Sequence, residues 1–323
     1  MQAGTLRAAL AGIAAAMWSA GGVAESYPSK PIELIVHTSA GSGGDIVSRA
    51  VAEILRKERL LPQPVLVVNR VGGSGVVAFN YFQTRRGDPY YMLSVTGTML
   101  ALAYRPDTNI GLDRYTPLAL FAIDPQTIMV PFDSPYKSVK DLLEAARREP
   151  GSLVVANSSP QGTGRMLVYL LEKHTPGAKF RIVNFKGGGD AVTSVAGGHT
   201  HFTTENLAEG LGFVEGKKLR VLAIAASERL PQAPDVPTLQ ESGYPITAGT
   251  MRGFAFTAGV PKEAVAIMEG ALERVHKSAA WKELARRNIY QDVFLGSEDF
   301  RAFLVKRFEE YRGFYEEIGL GRK

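Results

Sequence analysis

The chain has 323 residues, 45% hydrophobic and 21% charged, with 34 Gly, 18 Pro and no Cys, a globular composition that argues against disorder, collagen or a coiled coil. Without cysteine there is no disulfide framework, Cys-ligated zinc, thiol nucleophile, iron–sulfur cluster or lipid-modified N-terminal cysteine. The 37 basic and 32 acidic residues leave +5, a surplus that suits an anionic small molecule or an acidic surface and demands neither.

Arg7 is the only charged residue before Glu25, and it precedes an apolar run from Ala8 to Trp18 that ends in small residues. The run is too short to span a bilayer, and Gly22-Val23-Ala24 offers small side chains where a signal peptidase inspects them. Residues 1–24 therefore read as a secretory signal cleaved after Ala24, and the expected location is the periplasm, without a lipid anchor.

Beyond it, near-continuous apolar runs at Ile32–Val36, Val65–Asn69, Tyr91–Thr96, Thr127–Val130, Leu153–Asn157, Phe180–Asn184, Leu219–Ala225 and Gly253–Thr257 read as buried strands. Helical patterns alternate with them. Gly44–Glu58 carries Ile46, Val47, Ala50, Val51, Ile54 and Leu55 at three-to-four spacing, and Ser138-x-x-Asp141 caps Val139–Arg148. Pro261 opens Lys262–Lys277, and Ser297 caps a last helix with Phe300, Phe303, Leu304, Phe308, Tyr311, Phe314 and Ile318 on a core-facing stripe. The alternation implies an α/β fold with mostly parallel sheets flanked by helices. Arg229–Gly243 and the pair Gly111–Pro117 and Asp124–Pro125 are the candidate crossovers. They give a discontinuous first domain, 25–122 plus 248–323, and a second domain, 123–247.

Strand-to-helix junctions are rich in small and hydroxyl residues. They are Thr38-Ser39-Ala40-Gly41-Ser42-Gly43-Gly44-Asp45, Arg70-Val71-Gly72-Gly73-Ser74-Gly75, Thr96-Gly97-Thr98, Asn157-Ser158-Ser159-Pro160-Gln161-Gly162-Thr163-Gly164 and Lys186-Gly187-Gly188-Gly189-Asp190. Glycine lets a ligand approach the backbone, and free N–H groups at a helix N-terminus attract carboxylate or phosphate. Nucleotide fingerprints fail on spacing: a dinucleotide loop needs glycine where Ile46 stands, and G-x-x-x-x-G-K-[ST] is absent. Neither G-x-S-x-G nor H-E-x-x-H occurs. His199-x-His201 lacks a third ligand nearby, so a surface or hydrogen-bonded role outweighs metal binding. Basic residues cluster only at helix C-termini, where the dipole favours them, and no nucleic-acid partner is expected.

The ordered set Tyr27-Pro28-Ser29-Lys30-Pro31-Ile32, the glycine loop ending Gly44-Asp45, Pro64-Val65-x-Val67-Val68-Asn69-Arg70-x-Gly72-Gly73, Tyr115-Thr116-Pro117, Lys137-Ser138-Val139-Lys140-Asp141-Leu142, Pro150-Gly151, Lys186-Gly187-Gly188, Gly216-Lys217-Lys218-Leu219 and Pro234-Asp235-Val236-Pro237-Thr238 resembles the Bug-type receptors of tripartite tricarboxylate transporters over essentially the whole mature chain. The resemblance implies a two-lobed periplasmic binding-protein fold. It also implies a non-catalytic receptor, without cofactor or metal, that closes on a small organic acid and delivers it to a membrane permease. A ligand carboxylate is then held by backbone amides and bridging waters from Ser39–Asp45 and Ser158–Gly164, with Thr96, Thr98, Gly187 and Gly188 around the cleft. Three positions depart from the family pattern: Thr200-His201-Phe202-Thr203-Thr204-Glu205 places an acid at Glu205, Met251-Arg252-Gly253 replaces an aromatic by Arg252, and His37 stands where proline is usual. Arg252 has a fork suited to a second acidic group, and Glu205, if it faces the cleft, admits an amino-acid-like ligand. A sensor docking on a membrane kinase and a secreted α/β enzyme using His201 and Glu205 are the alternative readings.

Overall fold

Three apolar runs at the start of the chain set up one half of the fold: β1 (Ile32–Val36), β2 (Val65–Asn69) and β3 (Tyr91–Val95) pair in parallel, with β1 between the other two. The computed structural model describes residues 27–104, 108, 111–158, 160–185 and 187–319. The leader read over 1–24, Ser159 and Lys186 lie outside them. Between the strands run α1 (Gly43–Lys57), α2 (Val76–Gln83) and, after β3, α3 (Thr98–Tyr104). Ser42 caps α1 by accepting the Asp45 N–H, and Val47, Val51, Ile54 and Leu55 bury its inner face.

The chain then enters an eleven-residue strand, β4 (Tyr115–Pro125). Gly111–Pro117, expected as a crossover, is thus no linker. Pro117 is tolerated because it sits at a register shift in the ladder, where a strand accommodates a residue without an N–H.

The second half contains β5 (Thr127–Pro131), α4 (Val139–Arg148), β6 (Val154–Asn157), α5 (Thr163–His174), β7 (Arg181–Asn184), α6 (Gly188–Ala196), β8 (Phe202–Thr203), α7 (Leu207–Glu215) and β9 (Leu219–Ile224). The expected Ser138–Asp141 capping box opens α4. Arg229–Gly243 is not the crossover either. It folds back on this half: the Ile224 N–H donates to Pro237 O and the Leu239 N–H to Ile224 O, which lays Thr238 beside Ile224. The chain instead returns through residues 248–250 into β10 (Gly249–Thr257), followed by α8 (Lys262–Lys277), α9 (Ala279–Arg287), β11 (Gln291–Leu295) and α10 (Ser297–Glu317). Gly296, not Ser297, caps α10; the Ser297 hydroxyl donates to Pro117 O.

The two sheets are ordered β11-β4-β10-β3-β1-β2 and β7-β6-β8-β5-β9. In the first, β1 to β4 run one way and β10 and β11 the other; in the second, only β5 opposes the rest. The α/β architecture holds, but both sheets are mixed rather than mostly parallel: β10 and β11 add antiparallel pairings to the first and β5 to the second.

The stripe of α10 does more than cover a sheet. Phe300, Leu304, Tyr311, Phe314 and Tyr315 are buried in one cluster with Leu120 and Ala255 of the first sheet, and that cluster also takes in Met166 and Tyr169 of α5 from the second half. The Tyr169 and Phe314 rings lie 5.6 Å apart. Phe314 is fully buried, so Phe314→Ala is expected to destabilise the protein by about 3–5 kcal/mol, measured as a fall in the urea midpoint.

Candidate functional site

The carboxyl ends of β1, β3, β6 and β8 face one another across a cleft of ≈ 600 Å³ between the halves, the place where open α/β sheets put ligands. After β1, Thr38, Ser39, Ser42, Gly43 and Gly44 line it; after β3, Thr96 and Thr98; after β6, Ser158, Gly162 and Thr163. Glu205 and Arg252 also line it, as expected from the sequence. Among the described residues no chain group accepts from the N–H groups of Gly43 and Gly44 on α1, or of Thr163 and Gly164 on α5. Two positive helix ends thus point open donors into one space. The walls come close, since a side chain on Gly97 would meet Thr163 Oγ1 at 3.6 Å.

Five expected residues lie off the cleft. Ala40 and Gly41 are exposed in the first loop. Asp45 turns inward and accepts from Gly41 N–H, Asn69 Nδ2 and Arg49 Nε, each at 2.9 Å. Burial works to raise its pKa, but Arg49, Gly41 and Asn69 hold the carboxyl below its ordinary range. Gly187 caps α6, and Gly188 lies beneath the Glu209 carboxylate, which occupies the space of the missing side chain. His201 is also outside the cleft that Glu205 lines; its Nδ1 accepts the Val154 N–H.

Arg252 neither points outward nor pairs with Glu205. Its Nη2 meets Asp124 Oδ2 at 2.5 Å with both side chains largely buried. Burial opposes the charge, yet Asp124 and Tyr290 hold the guanidinium pKa above its usual value. The fork lies directly against Gly43, where a Cβ would stand 2.5 Å from Nη2. Glu205, 4% exposed, accepts from Ser158 N–H at 2.7 Å and Ser158 Oγ at 2.9 Å. Burial raises its pKa against those two bonds.

Sequence reasoning missed several lining residues. Tyr311 and Tyr315 were assigned to the core or passed over, because a helical stripe looks alike whether it meets a core or a cleft. Glu209, Gln126 and Thr250 also line the cleft; Glu209 follows Glu205 by four residues, the only signal available. Its carboxyl is pushed up to about 8, first by burial and then by Glu205 and Asp124, and water reaching it through the cleft screens part of that effect. His37, ambiguous in sequence, lies buried in the wall and bonds Thr96 Oγ1 through Nε2 at 2.9 Å. Burial lowers its pKa to about 4, with Arg252 adding to the effect.

Among the described residues no group of three or more His, Cys, Asp or Glu is placed to hold a metal ion, and no helix is long and apolar enough to cross a membrane. Residues 47–320 match the model of the tripartite tricarboxylate transporter family receptor. The chain belongs to this family. Similar chains include the protein BugT of Bordetella pertussis, 27% identical over 316 residues, covering 96% of this chain and 94% of that one. The crystal structure of a TctC solute binding protein from Polaromonas is 30% identical, with a TM-score of 0.79 over 90% of this chain and 100% of that one. A protein of R. palustris solved with adipate has the same fold, with a TM-score of 0.77 at 23% identity over 91% and 98% of the two chains. Family and fold are those of two-lobed solute-binding receptors rather than of enzymes.

Two outcomes follow for this receptor's cleft. His37 gains a proton near pH 6.5 in the unfolded chain but near 4 in the fold, so its contribution is present above pH 6.5 and lost as pH falls toward 4. His37→Gln removes that dependence, and between pH 7 and 4.5 the wild type is expected to lose about 2 kcal/mol more than the variant in urea unfolding. Arg252→Ala strands Asp124 as a buried, uncompensated carboxylate and is expected to lower stability by about 3–5 kcal/mol, read from the same unfolding curves.

Proposed function

We propose that the protein is an exported, non-catalytic receptor that captures a small carboxylate-bearing organic molecule between its lobes and delivers it to a membrane permease. The observation that carries this reading is the convergence of the unpaired N–H groups of α1 and α5 on one cleft. Each helix end bears a fractional positive charge and offers donors that need no reorganisation to meet a carboxylate. Holding the anion by neutral dipoles avoids burying a free cation, and bridging waters accommodate ligands of differing shape. The hydroxyls of Ser39, Thr98 and Thr163 add adjustable donors around those amides, while those of Ser42, Thr96 and Ser158 are engaged within the walls. Arg252, already engaged by Asp124, backs the first loop.

Family membership supports the receptor role, and the adipate carried by the R. palustris neighbour supports a carboxylate. The apolar leader at 1–24 supports export to the periplasm, where such a receptor works. Capture proceeds by rotation of the two lobes about the strands that join them.

The test is a thermal-shift screen of ligand-free protein, verified by native mass spectrometry, against C3–C6 mono- and dicarboxylates and amino acids. At a hundred times its dissociation constant a ligand adds about 2.7 kcal/mol, so a midpoint rise of several degrees is expected from one class. In Gly43→Val the new side chain pushes into the Arg252 fork and over the open amides, and affinity for that class is expected to fall at least tenfold by calorimetry. A panel without any shift removes the receptor reading.

A further inference from the structure

The cleft has two chemically different walls. On the side of α1 and α5 the open groups are donors. On the side of β8 and α7 they are acceptors: the Glu205 and Glu209 carboxylates and the amide oxygen of Gln126. Gln126 is 2% exposed and lines the cleft, its Nε2 donates to Thr250 Oγ1 at 3.3 Å, and its Oε1 has no hydrogen-bond partner. A buried amide oxygen without a partner is a cost that a chain does not ordinarily carry. Glu209 stands in the first turn of α7, open to the cleft, and no basic side chain among the described residues is ion-paired with it or with Glu205. The guanidinium of Arg252 is ion-paired with Asp124 and makes no ion pair with either glutamate, although its charge eases the ionisation of Glu209.

We propose that Glu205, Glu209 and Gln126 form a subsite for a cationic nitrogen, so that the ligand is an aminocarboxylate: a zwitterion with its carboxylate on the helix ends and its ammonium on this acceptor wall. An ammonium has three donors and no acceptor, which matches two carboxylates and an orphaned amide oxygen. A dicarboxylate of equal length would bring a second anion against two acids whose burial already resists charge, whereas an ammonium beside them favours their ionised form and is held by it. The proposal rests on the receptor reading and narrows it from organic acids in general to those bearing a positive nitrogen.

Calorimetry on the ligand-free full chain with length-matched pairs tests it: 4-aminobutanoate against glutarate, 5-aminopentanoate against adipate, and glutamate against glutarate. An aminocarboxylate is expected to bind at least tenfold more tightly than its dicarboxylate partner. Glu209→Gln, at a solvent-reached position where folding is not at stake, is expected to weaken the aminocarboxylate at least tenfold and to leave the dicarboxylate unchanged or tighter. Dicarboxylates binding more tightly to the wild type, or an aminocarboxylate indifferent to Glu209→Gln, overturns the subsite and leaves the receptor reading intact. If no carboxylate of either class binds, the receptor reading itself falls, and the subsite with it.

Discussion

Asp124 and Arg252 stand on the two strands that carry the chain between the sheets, and the cleft takes its shape from the ion pair they make. Asp124 lies at the end of β4, Arg252 near the start of β10, and the ladder around them pairs Thr250 with Asp124 and Arg252 with Ala122. The backbone oxygen of Asp124 also accepts from Asn206 Nδ2 at 2.7 Å, which ties the crossing to the segment that carries Glu205. On its other side the guanidinium abuts Gly43. One buried pair thus touches the first glycine loop, both crossing strands and the second lobe. Such a pair gains little over an apolar replacement, because desolvation offsets most of the attraction, but losing either partner is expensive. Its effect is to hold these elements in one relation.

That relation separates charge within the cleft. The helix ends contribute dipoles without formal charge, His37 is kept neutral by its burial, and Arg252 behind the first loop is paired with Asp124, so the donor wall attracts an anion without an unpaired cation. The acceptor wall holds two acids whose burial resists ionisation until a cation sits beside them. The net surplus of basic residues on the chain says nothing of this, since the helix-terminal arginines that supply part of it sit beside glutamates such as Glu53 and Glu283, far from the chemistry in kind.

Much of the fold was legible because burial writes itself into composition. β1, β2 and β3 are continuous apolar runs, and α1 and α4 announce themselves by their spacing and by Ser42 and Ser138. β4 was hidden by Pro117, which a register shift absorbs, and by Pro125, which ends the strand. The site was legible in part for a related reason: glycine and hydroxyl residues after strands signal close approach, and Ser42, Gly43, Thr96, Ser158 and Thr163 do line the cleft. Asp45 belongs to the same run yet turns away, because an acid in the first turn of a helix is satisfied by its own loop. Gln126, Glu209 and Tyr315 carry no local pattern, and only the crossing of distant strands brings them together. Arg252 was recognised as unusual, but its partner is 128 residues away in the chain, beyond any local rule.

The contact between α10 and α5 bears on how the two lobes can move. Tyr169 and Met166 share an apolar cluster with Phe314 and Tyr311, so parting the helices there would expose aromatic surface to water, at about 25 cal/mol for each Å² uncovered. A second apolar contact between the halves, Ile289 with Leu207, Ile224 and Leu230, carries the same toll. An opening of the lobes that keeps both contacts buried is therefore a turn upon them, as on a greased bearing, rather than a parting of them.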